Sequence, residues 1–305
     1  SHIRGVGRGG DFATSATLST GLAHAMADWI REEISGLQIT PPYHLIELGP
    51  GDGSLARDVL AALPWSIRRK CRLQLVDVSG PLGAQQTAAL RKFRRRVSRH
   101  ESLGDALREL PERAHPLIYS NEFFDAFPVR VFRQTSAGLD ELMIGERDGA
   151  LHECWSETDA IALSSTAYHP FPEGHRFEVA ESALKWLREN LAGLARGSLL
   201  TIDYGGTADE IYHRRPLGSL RGYFLHNAVS AEALYANPGH QDLTADVNFE
   251  DLQTWTGELG FRTEHTLTQR EFLAPFLDSS DEAHRFLSDA FGAGEAFKVL
   301  IQRKG

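Results

Sequence analysis

Short runs of apolar residues alternate along the chain with longer stretches in which apolar residues recur every three or four positions. The short runs are typical of buried β-strands, and the periodic stretches are typical of amphipathic helices. Strands are predicted at 43–49, 72–78, about 95–99, 116–121, 199–204, 261–267 and 295–302. Helices are predicted at 17–35, 54–63, 81–92, 102–109, 177–193, 248–259 and 281–290. This alternation predicts an α/β fold with a doubly wound, seven-stranded and mostly parallel sheet.

Two intervals interrupt the alternation. The first, residues 128–176, contains three strand-like runs separated by glycine-containing turns: Val129–Gln134, Leu139–Glu146 and Ala150–Trp155. The second, residues 205–247, is rich in Gly, His, Asn and Arg and is predicted to be irregular. Both follow the carboxyl ends of strands, where an open α/β sheet binds its ligands. We therefore expect one domain over residues 1–305, in which 128–176 is an inserted, β-rich, substrate-side region.

A glycine-rich turn follows the first predicted strand. Residues 43–53 read Tyr-His-Leu-Ile-Glu-Leu-Gly-Pro-Gly-Asp-Gly, so Glu47 precedes Gly49, Gly51 and Gly53. Such a turn lets a ligand lie against bare backbone at the amino end of the next helix. A dinucleotide fingerprint requires G-x-G-x-x-G, whereas the third glycine comes one residue early here. The turn instead resembles motif I of S-adenosylmethionine (SAM) methyltransferases.

Residues at the neighbouring strand ends supply the other groups that a SAM site needs. Asp77 ends the second predicted strand, and its carboxylate is suited to accept both ribose hydroxyls, a charge-assisted interaction worth about 1.5–3 kcal/mol. A solvated strand-end acid is the alternative for Asp77. Glu47 is expected to face the cationic methionine end of SAM. Leu103, after the third strand, is expected to border the adenine, and a plain helix start is the alternative there.

Polar residues follow the fourth predicted strand in the segment Tyr119-Ser-Asn-Glu-Phe-Phe-Asp-Ala-Phe-Pro128. Asn121, Glu122 and Asp125 are therefore expected where a methyl acceptor approaches the sulfonium. Two carboxylates are suited to orient a guanidinium bidentately and expose one nitrogen. In the alternative interpretation, Asp125 caps a turn and Glu122 is structural. Asp203, at the end of the neighbouring strand, is expected to support this acceptor-orienting pair.

Composition narrows the classes of function. Hydrophobic residues make up 42% of the chain and charged residues 24%, as in ordinary globular proteins. The formal net charge of −9 argues against a general nucleic-acid binder, although a basic run occurs at residues 91–99. Two cysteines in 305 residues indicate a reducing compartment, and the absence of a long apolar run predicts no membrane insertion.

No metal site is predicted from the sequence. Asp242, Thr244, Asp246 and Asn248 alternate as in a calcium loop, but the sixth position is Val247 rather than Gly, which argues against an EF-hand. The segment His152-Glu153-Cys154 has no further ligands at zinc spacing.

Several segments together resemble the MidA/NDUFAF7-type (DUF185) family of SAM-dependent methyltransferases. They are Gly10–Ser15, Glu47–Gly53, Asn121–Pro128, Thr201–Gly205, Gly239–Thr244 and Phe297–Ile301. The resemblance implies a Rossmann-like class I methyltransferase fold and SAM as cofactor, with Thr14 and Asn121 among the residues that contact it. For the mitochondrial branch it implies arginine methylation of a respiratory complex I subunit during assembly. Family members often carry Glu at the position of Asp77 and Leu at that of Phe127.

The resulting expectation is a SAM-dependent methyltransferase that acts on protein, with arginine as acceptor and a role in respiratory complex assembly. A SAM-binding assembly factor with little catalysis and a small-molecule methyltransferase remain alternatives. The expected location is the bacterial cytoplasm or the mitochondrial matrix. A homodimer is a further expectation, and no nucleic-acid partner is expected.

Overall fold

The computed structural model describes residues 20–158, 165–166, 171–224, 227–229, 231–276 and 293–305. Its strands are β1 Tyr43–Leu48, β2 Cys71–Val76, β3 Val97–His100, β4 Leu117–Asn121, β5 Arg130–Thr135, β6 Gly138–Arg147, β7 Ala150–Thr158, β8 Arg176–Val179, β9 Gly197–Gly206, β10 Arg221–Phe224, β11 Asn227–Val229, β12 Asp242–Thr244, β13 Val247–Asn248, β14 Arg262–Thr268 and β15 Phe297–Lys304. Its helices are α1 Thr20–Gly36, α2 Ser54–Ala62, α3 Trp65–Arg68, α4 Leu82–Ala89, α5 Leu103–Arg108, α6 Glu181–Leu191, α7 Ala208–Tyr212, α8 Phe249–Glu258, α9 Gln269–Leu273 and α10 Ala293–Ala296. Short 3-10 turns cover Arg91–Arg96, Ala231–Tyr235 and Ala274–Phe276.

The central sheet has the strand order β14-β15-β9-β4-β1-β2-β3, and β13 pairs with β9 beside this path. Strands β1, β2, β3, β4 and the paired part of β9 run parallel, whereas β14 and β15 are antiparallel. The predicted α/β fold with a mostly parallel sheet is confirmed. Strand order reverses between β1 and β4, so ligands are expected outside the carboxyl ends of these strands.

The described residues form two compact units. The first, here the sheet unit, contains the described residues up to Phe123 together with Asn190–Asp203 and Gly260–Gly305. The second, here the insert unit, contains the described residues of 124–189 and of 204–259. The predicted inserted region 128–176 falls within the range of the insert unit. Its status as a substrate-side region of a single domain stays a prediction.

The sheet unit is built around a core that its strands share with flanking helices. Helix α1 buries Leu22, Met26 and Ile30 completely, and Leu45 and Leu73 of the sheet belong to the same cluster. The apolar residues of α1 recur at i and i+4, which places them on one helix face. The apolar runs of β1 and β2 are buried on both faces, as is typical of a parallel sheet covered by helices.

The insert unit contains two antiparallel sheets, with strand orders β7-β6-β5-β8 and β11-β10-β12. The three strands predicted between residues 129 and 155 are confirmed as β5, β6 and β7. The prediction of helix from residue 177 was wrong for its first residues, which belong to β8. Phe177 and Val179 alternate into the core of this unit, and that burial outweighs their place beside the helical pattern of α6.

The interval 205–247 is also more regular than predicted, because it contains α7 and the short strands β10 to β13. These elements are two to five residues long, too short to produce a clear period in the sequence. The helix predicted at 281–290 lies outside the described residues.

Candidate functional site

The turn between β1 and α2 depends on its glycines. Gly49, Gly51 and Gly53 have φ values of 62°, 53° and 82°, in the left-handed region that glycine adopts without strain. A Cβ atom on Gly49 would lie 3.0 Å from Cδ2 of Phe123. The Gly49 amide donates to the Val76 carbonyl at 3.0 Å, which holds the turn against the end of β2. The predicted glycine turn is therefore a tight cradle at the amino end of α2.

Asp77 follows β2 directly and is connected to the glycine turn by Gln86 of α4. The Gln86 Nε2 donates to Oδ2 of Asp77 at 2.7 Å and to the Gly51 carbonyl at 2.9 Å. The other Asp77 oxygen, Oδ1, accepts from the Ser79 amide at 2.8 Å. Gln86 is completely buried, and among the described residues its Oε1 has no hydrogen-bond partner. One amide side chain thus positions both the predicted ribose acid and the turn.

Gln86 is a residue of the candidate site that the sequence interpretation missed. It lies in a predicted helix whose residues were assigned no chemistry. Leu82, Gly83 and Gln86 form the buried face of α4. A polar residue at a core-facing position of a helix was therefore the available signal, because buried amides require hydrogen-bond partners.

Glu47 is 2% exposed near the end of β1. Burial raises the pKa of its carboxyl to about 8, and the negative charge of Asp52 adds to this, while a hydrogen bond from Tyr119 opposes it. The Tyr119 hydroxyl donates to Oε2 of Glu47 at 3.3 Å, and burial raises the pKa of Tyr119 as well. The carboxyl of Glu47 is therefore largely protonated at neutral pH unless a cation approaches it.

Asn121, Glu122 and Asp203 lie together where β4 ends beside β9, and β9 itself continues past Asp203 to Gly206. The Glu122 amide donates to the Ile202 carbonyl at 2.9 Å, and the Phe123 amide donates to Oδ2 of Asp203 at 3.1 Å. Asn121 Nδ2 donates to Oε1 of Glu122 at 3.2 Å. Asn121 Oδ1 is buried and has no hydrogen-bond partner in the part of the chain that the structure describes.

Glu122 adopts a φ of 53°, which is uncommon for a residue other than glycine. Strained backbone of this kind is concentrated at functional sites, where the surrounding structure maintains it. Here the Glu122 amide and the adjacent Phe123 amide are both held by residues of β9, Ile202 and Asp203. Asp203, which is completely buried, thus positions the chain just after Glu122.

Leu103 and Thr14 are the two other residues predicted to contact the cofactor. Leu103 is the first residue of α5, directly after the Ser102 N-cap, and its side chain is completely buried. It follows β3 and so lies at the carboxyl edge of the sheet, but its role at the adenine stays a prediction. Thr14 lies outside the described residues.

Asp125 belongs to the insert unit, whereas Glu122 and Asp203 belong to the sheet unit. Its Oδ2 accepts hydrogen bonds from the Tyr204 hydroxyl and, at 3.0 Å, from Thr244 Oγ1. Burial raises the pKa of Asp125, while these hydrogen bonds and the charge of Arg221 oppose that rise. We refer to Asp125, Tyr204 and Thr244 as the Asp125 cluster.

A cavity of about 30 Å³ borders the Asp125 cluster and is lined by three further carboxylates of the insert unit, Glu178, Asp246 and Asp251. Each of them accepts hydrogen bonds from protein groups. Glu178 binds the Ser219 backbone and hydroxyl, Asp246 binds Arg221 and Arg215, and Asp251 binds Ser165 and Thr166. A cavity of this volume accommodates about one water molecule.

The described residues contain no group of three or more His, Cys, Asp and Glu side chains arranged to hold a metal ion. In the same residues, no helix is both long and apolar enough to cross a membrane.

The chain matches one protein family over most of its length. The model of a family described as "Putative S-adenosyl-L-methionine-dependent methyltransferase" matches residues 25–266. The chain is 28% identical over 298 residues to a Danio rerio protein named "Protein arginine methyltransferase NDUFAF7, mitochondrial", covering 88% of this chain and 66% of that protein. The Mus musculus protein of the same name is 29% identical over 281 residues, covering 83% and 61%. The chain thus spans somewhat less than two thirds of the length of these curated relatives.

A crystal structure from Burkholderia thailandensis has the same fold. It is described as a "likely methyl transferase" bound to S-adenosyl-homocysteine. It superposes with a TM-score of 0.84 at 28% sequence identity, covering 99% of this chain and 82% of that one. A native structure of a protein of the same superfamily and organism gives a TM-score of 0.80 at 27% identity, covering 95% of this chain and 81% of that one.

Proposed function

The chain belongs to the family described as "Putative S-adenosyl-L-methionine-dependent methyltransferase", and from that premise we propose that it binds SAM and methylates a protein side chain. The observation that carries this proposal is the connection of the glycine turn to Asp77 through Gln86, within hydrogen-bond distance on both sides. That connection holds a bare-backbone cradle and a ribose-binding acid in one fixed arrangement. Binding of S-adenosyl-homocysteine by the Burkholderia thailandensis protein, which has the same fold, supports the same cofactor.

The residues present fit this cofactor. The left-handed glycines leave the backbone of the turn bare, and a Cβ on Gly49 would lie only 3.0 Å from the Phe123 ring. Asp77 keeps lone pairs beyond its bonds to Ser79 and Gln86. Gln86 Oε1 and Asn121 Oδ1 are buried acceptors without partners among the described residues, which suits them to donors of a ligand. When bound, SAM supplies a methyl group activated by its sulfonium. We refer to Glu47, Gly49, Gly51, Gly53, Asp77, Gln86 and Asn121 as the glycine-turn site.

Glu47 contributes a carboxyl whose ionisation depends on its neighbours. Its pKa of about 8 means that a cation beside it favours loss of the proton. The resulting carboxylate is stabilised by the Tyr119 hydroxyl, which already donates to it. Glu47 is thereby suited to the cationic methionine end of SAM.

Arginine is the proposed acceptor, and Glu122 is the residue proposed to orient it. The printed names of the curated relatives support arginine. The strained backbone of Glu122 and its support by Ile202 and Asp203 favour a role in positioning over a role in packing. A carboxylate orients a guanidinium through charge-assisted hydrogen bonds, so that the acceptor nitrogen is held in place for transfer. The catalytic role assigned to Asp125 stays a prediction, as does that of Asp203.

The test combines turnover with cofactor binding. We expect Glu122→Gln to lower radiolabelled methyl transfer into a proteome by at least about tenfold, because the amide keeps the shape but loses the charge. Calorimetric SAM affinity should change by less than about threefold, since the Gln side chain keeps an oxygen that accepts the hydrogen bond from Asn121 Nδ2. Mass spectrometry of the labelled proteins identifies the acceptor.

Unchanged turnover in Glu122→Gln would overturn the assignment of Glu122. Label on residues other than arginine would overturn the acceptor. SAM binding without any methyl transfer would favour an assembly factor with little catalysis. Label confined to small molecules would favour a small-molecule methyltransferase.

The cellular setting is inferred from the two cysteines. Cys71 and Cys154 are both free thiols, and burial raises the pKa of Cys71 to about 12, which leaves it unreactive. Two free thiols suit a reducing compartment, such as a bacterial cytoplasm or the mitochondrial matrix. The printed names of the curated relatives include the word mitochondrial. The role in respiratory complex assembly and the homodimer stay predictions.

A further inference from the structure

Positive charge is concentrated in two short stretches of this acidic chain. Eight of its 32 Lys and Arg residues lie within 68–70 and 91–96, although the formal net charge of the whole chain is −9. Asp77 is the only acidic residue between positions 59 and 100. The sequence therefore leaves these cations without local partners of opposite charge.

The structure brings the two stretches together at one edge of the central sheet. The first leads into β2 and the second leads into β3, and these strands run parallel with Leu73 opposite Val97. Asp77 and the glycine turn follow the opposite, carboxyl ends of β2 and β1. Since a six-residue strand is about 20 Å long, the cationic region is remote from the glycine-turn site.

A groove of about 400 Å³ lies in this region, lined by Trp65 and by four cationic side chains, Arg68, Arg69, Lys92 and Arg96. We refer to it as the basic groove. Trp65 is 66% exposed, and the Arg69 guanidinium lies 4.8 Å from the centre of its ring. Within the described part of the chain, the four cations form no ion pair with a carboxylate. An exposed indole beside unpaired cations is typical of an interaction surface rather than of a solvated helix end.

We propose that the basic groove docks an acidic polypeptide segment of a partner protein. Three guanidinium groups match carboxylates in a planar, bidentate geometry, and Trp65 offers an apolar surface for the stems of Glu side chains. The volume of the groove suits a few side chains. Double-stranded DNA carries a negative charge about every 1.7 Å of its axis. It would extend past the groove over a chain of net charge −9, which disfavours it as the occupant. This proposal does not depend on methyl transfer.

The test measures binding of fluorescein-labelled hexaglutamate by anisotropy at low and high salt. The groove variant is Arg68→Gln/Arg69→Gln/Arg96→Gln. The matched control, Arg91→Gln/Arg94→Gln/Arg95→Gln, removes the same charge from the same region at residues that do not line the groove. We expect the groove variant to bind hexaglutamate at least about tenfold more weakly than the wild-type protein, and the control variant less than about threefold more weakly. The reason is that direct contacts in the groove, rather than the overall positive charge of the region, provide the affinity.

Trp65 supplies a second, local measurement. Hexaglutamate should shift the tryptophan emission of the wild-type protein, and Trp65→Phe should abolish that shift while the four buried or partly buried tryptophans remain. Circular dichroism melting checks that each variant is folded. If the groove variant is destabilised, the single change Arg69→Gln replaces it in the binding measurement.

Three results would overturn the proposal. The first is absence of hexaglutamate binding to the wild-type protein, and the second is an equal loss in the groove and control variants. The third is displacement of the labelled peptide by oligouridylate, or by vesicles containing phosphatidylserine, at lower concentrations than by unlabelled hexaglutamate. That last result would assign the basic groove to nucleic acid or to a membrane surface.

Discussion

The glycine-turn site and the Asp125 cluster both contain acidic side chains, but their hydrogen bonds differ. In the glycine-turn site, Asp77 holds one protein donor on each oxygen, and two buried acceptors, Gln86 Oε1 and Asn121 Oδ1, have no partner among the described residues. In the Asp125 cluster and the cavity beside it, every carboxylate accepts from protein side chains or backbone. A buried acceptor that has no protein donor is suited to bind a ligand, whereas a buried carboxylate bonded to the protein stabilises a local conformation.

The most direct test of this difference is to remove one acidic side chain from each region and to compare ligand affinity and stability. Asp77→Ala should weaken S-adenosyl-homocysteine binding by at least about 100-fold, because two charge-assisted hydrogen bonds to the ribose are lost. Its melting temperature should change little, since Asp77 is partly exposed. Asp125→Ala should lower the melting temperature and leave S-adenosyl-homocysteine affinity nearly unchanged. It leaves the Tyr204 and Thr244 hydroxyls without their buried acceptor, at a cost of about 1–3 kcal/mol of stability.

Calorimetry measures the ligand affinity of the two variants, and thermal melting measures their stability. Equal effects of the two variants on ligand affinity would show that the hydrogen bonds do not distinguish a ligand site from the Asp125 cluster.

The connection through Gln86 gives a smaller and more specific test. Gln86→Leu should weaken S-adenosyl-homocysteine binding by about tenfold, because Asp77 and the Gly51 carbonyl lose their common donor. At pH 8, Gln86→Glu should bind S-adenosyl-homocysteine at least as weakly as Gln86→Leu does. Its affinity should recover as the pH falls. Protonation of the new carboxyl removes its repulsion of Asp77 and restores one donor.

Binding isotherms at several pH values check this prediction, with the wild-type protein as the control for the pH dependence of the ligand itself. A pH-independent loss in Gln86→Glu would mean that Gln86 acts through packing alone.

Glu47 gives the smallest expected effect, and it concerns pH. Its pKa of about 8 in the free protein means that binding a cation near neutral pH releases a proton. SAM affinity should therefore rise severalfold as the pH increases from about 6.5 to 8 and level off above that range. Glu47→Gln should remove this dependence. Calorimetry in buffers of different ionisation enthalpy measures the released proton, and a pH-independent wild-type affinity would contradict the assignment of Glu47.

Much of the sheet unit was predictable because its signals are local. Apolar runs bounded by turns located β1 and β2 within one or two residues, and the spacing of three glycines indicated the kind of ligand. The insert unit was harder to predict. Phe177 and Val179 precede a helical pattern without a break, and only their burial in a core with Phe132 and Tyr212 makes them a strand.

The strand–turn–helix units, the glycine turn and the position of Asp77 at the end of the second strand were predictable from the sequence, since backbone preference and periodicity depend on neighbouring residues. Packing of distant residues was needed to show that Gln86 joins Asp77 to Gly51, that burial raises the pKa of Glu47, and that Asp125 accepts hydrogen bonds from Tyr204 and Thr244. Hydrogen bonds between residues distant in the chain, and the desolvation that shifts a pKa, arise from packing and have no local pattern. For the glycine turn, the structure added the side chain that holds it in place.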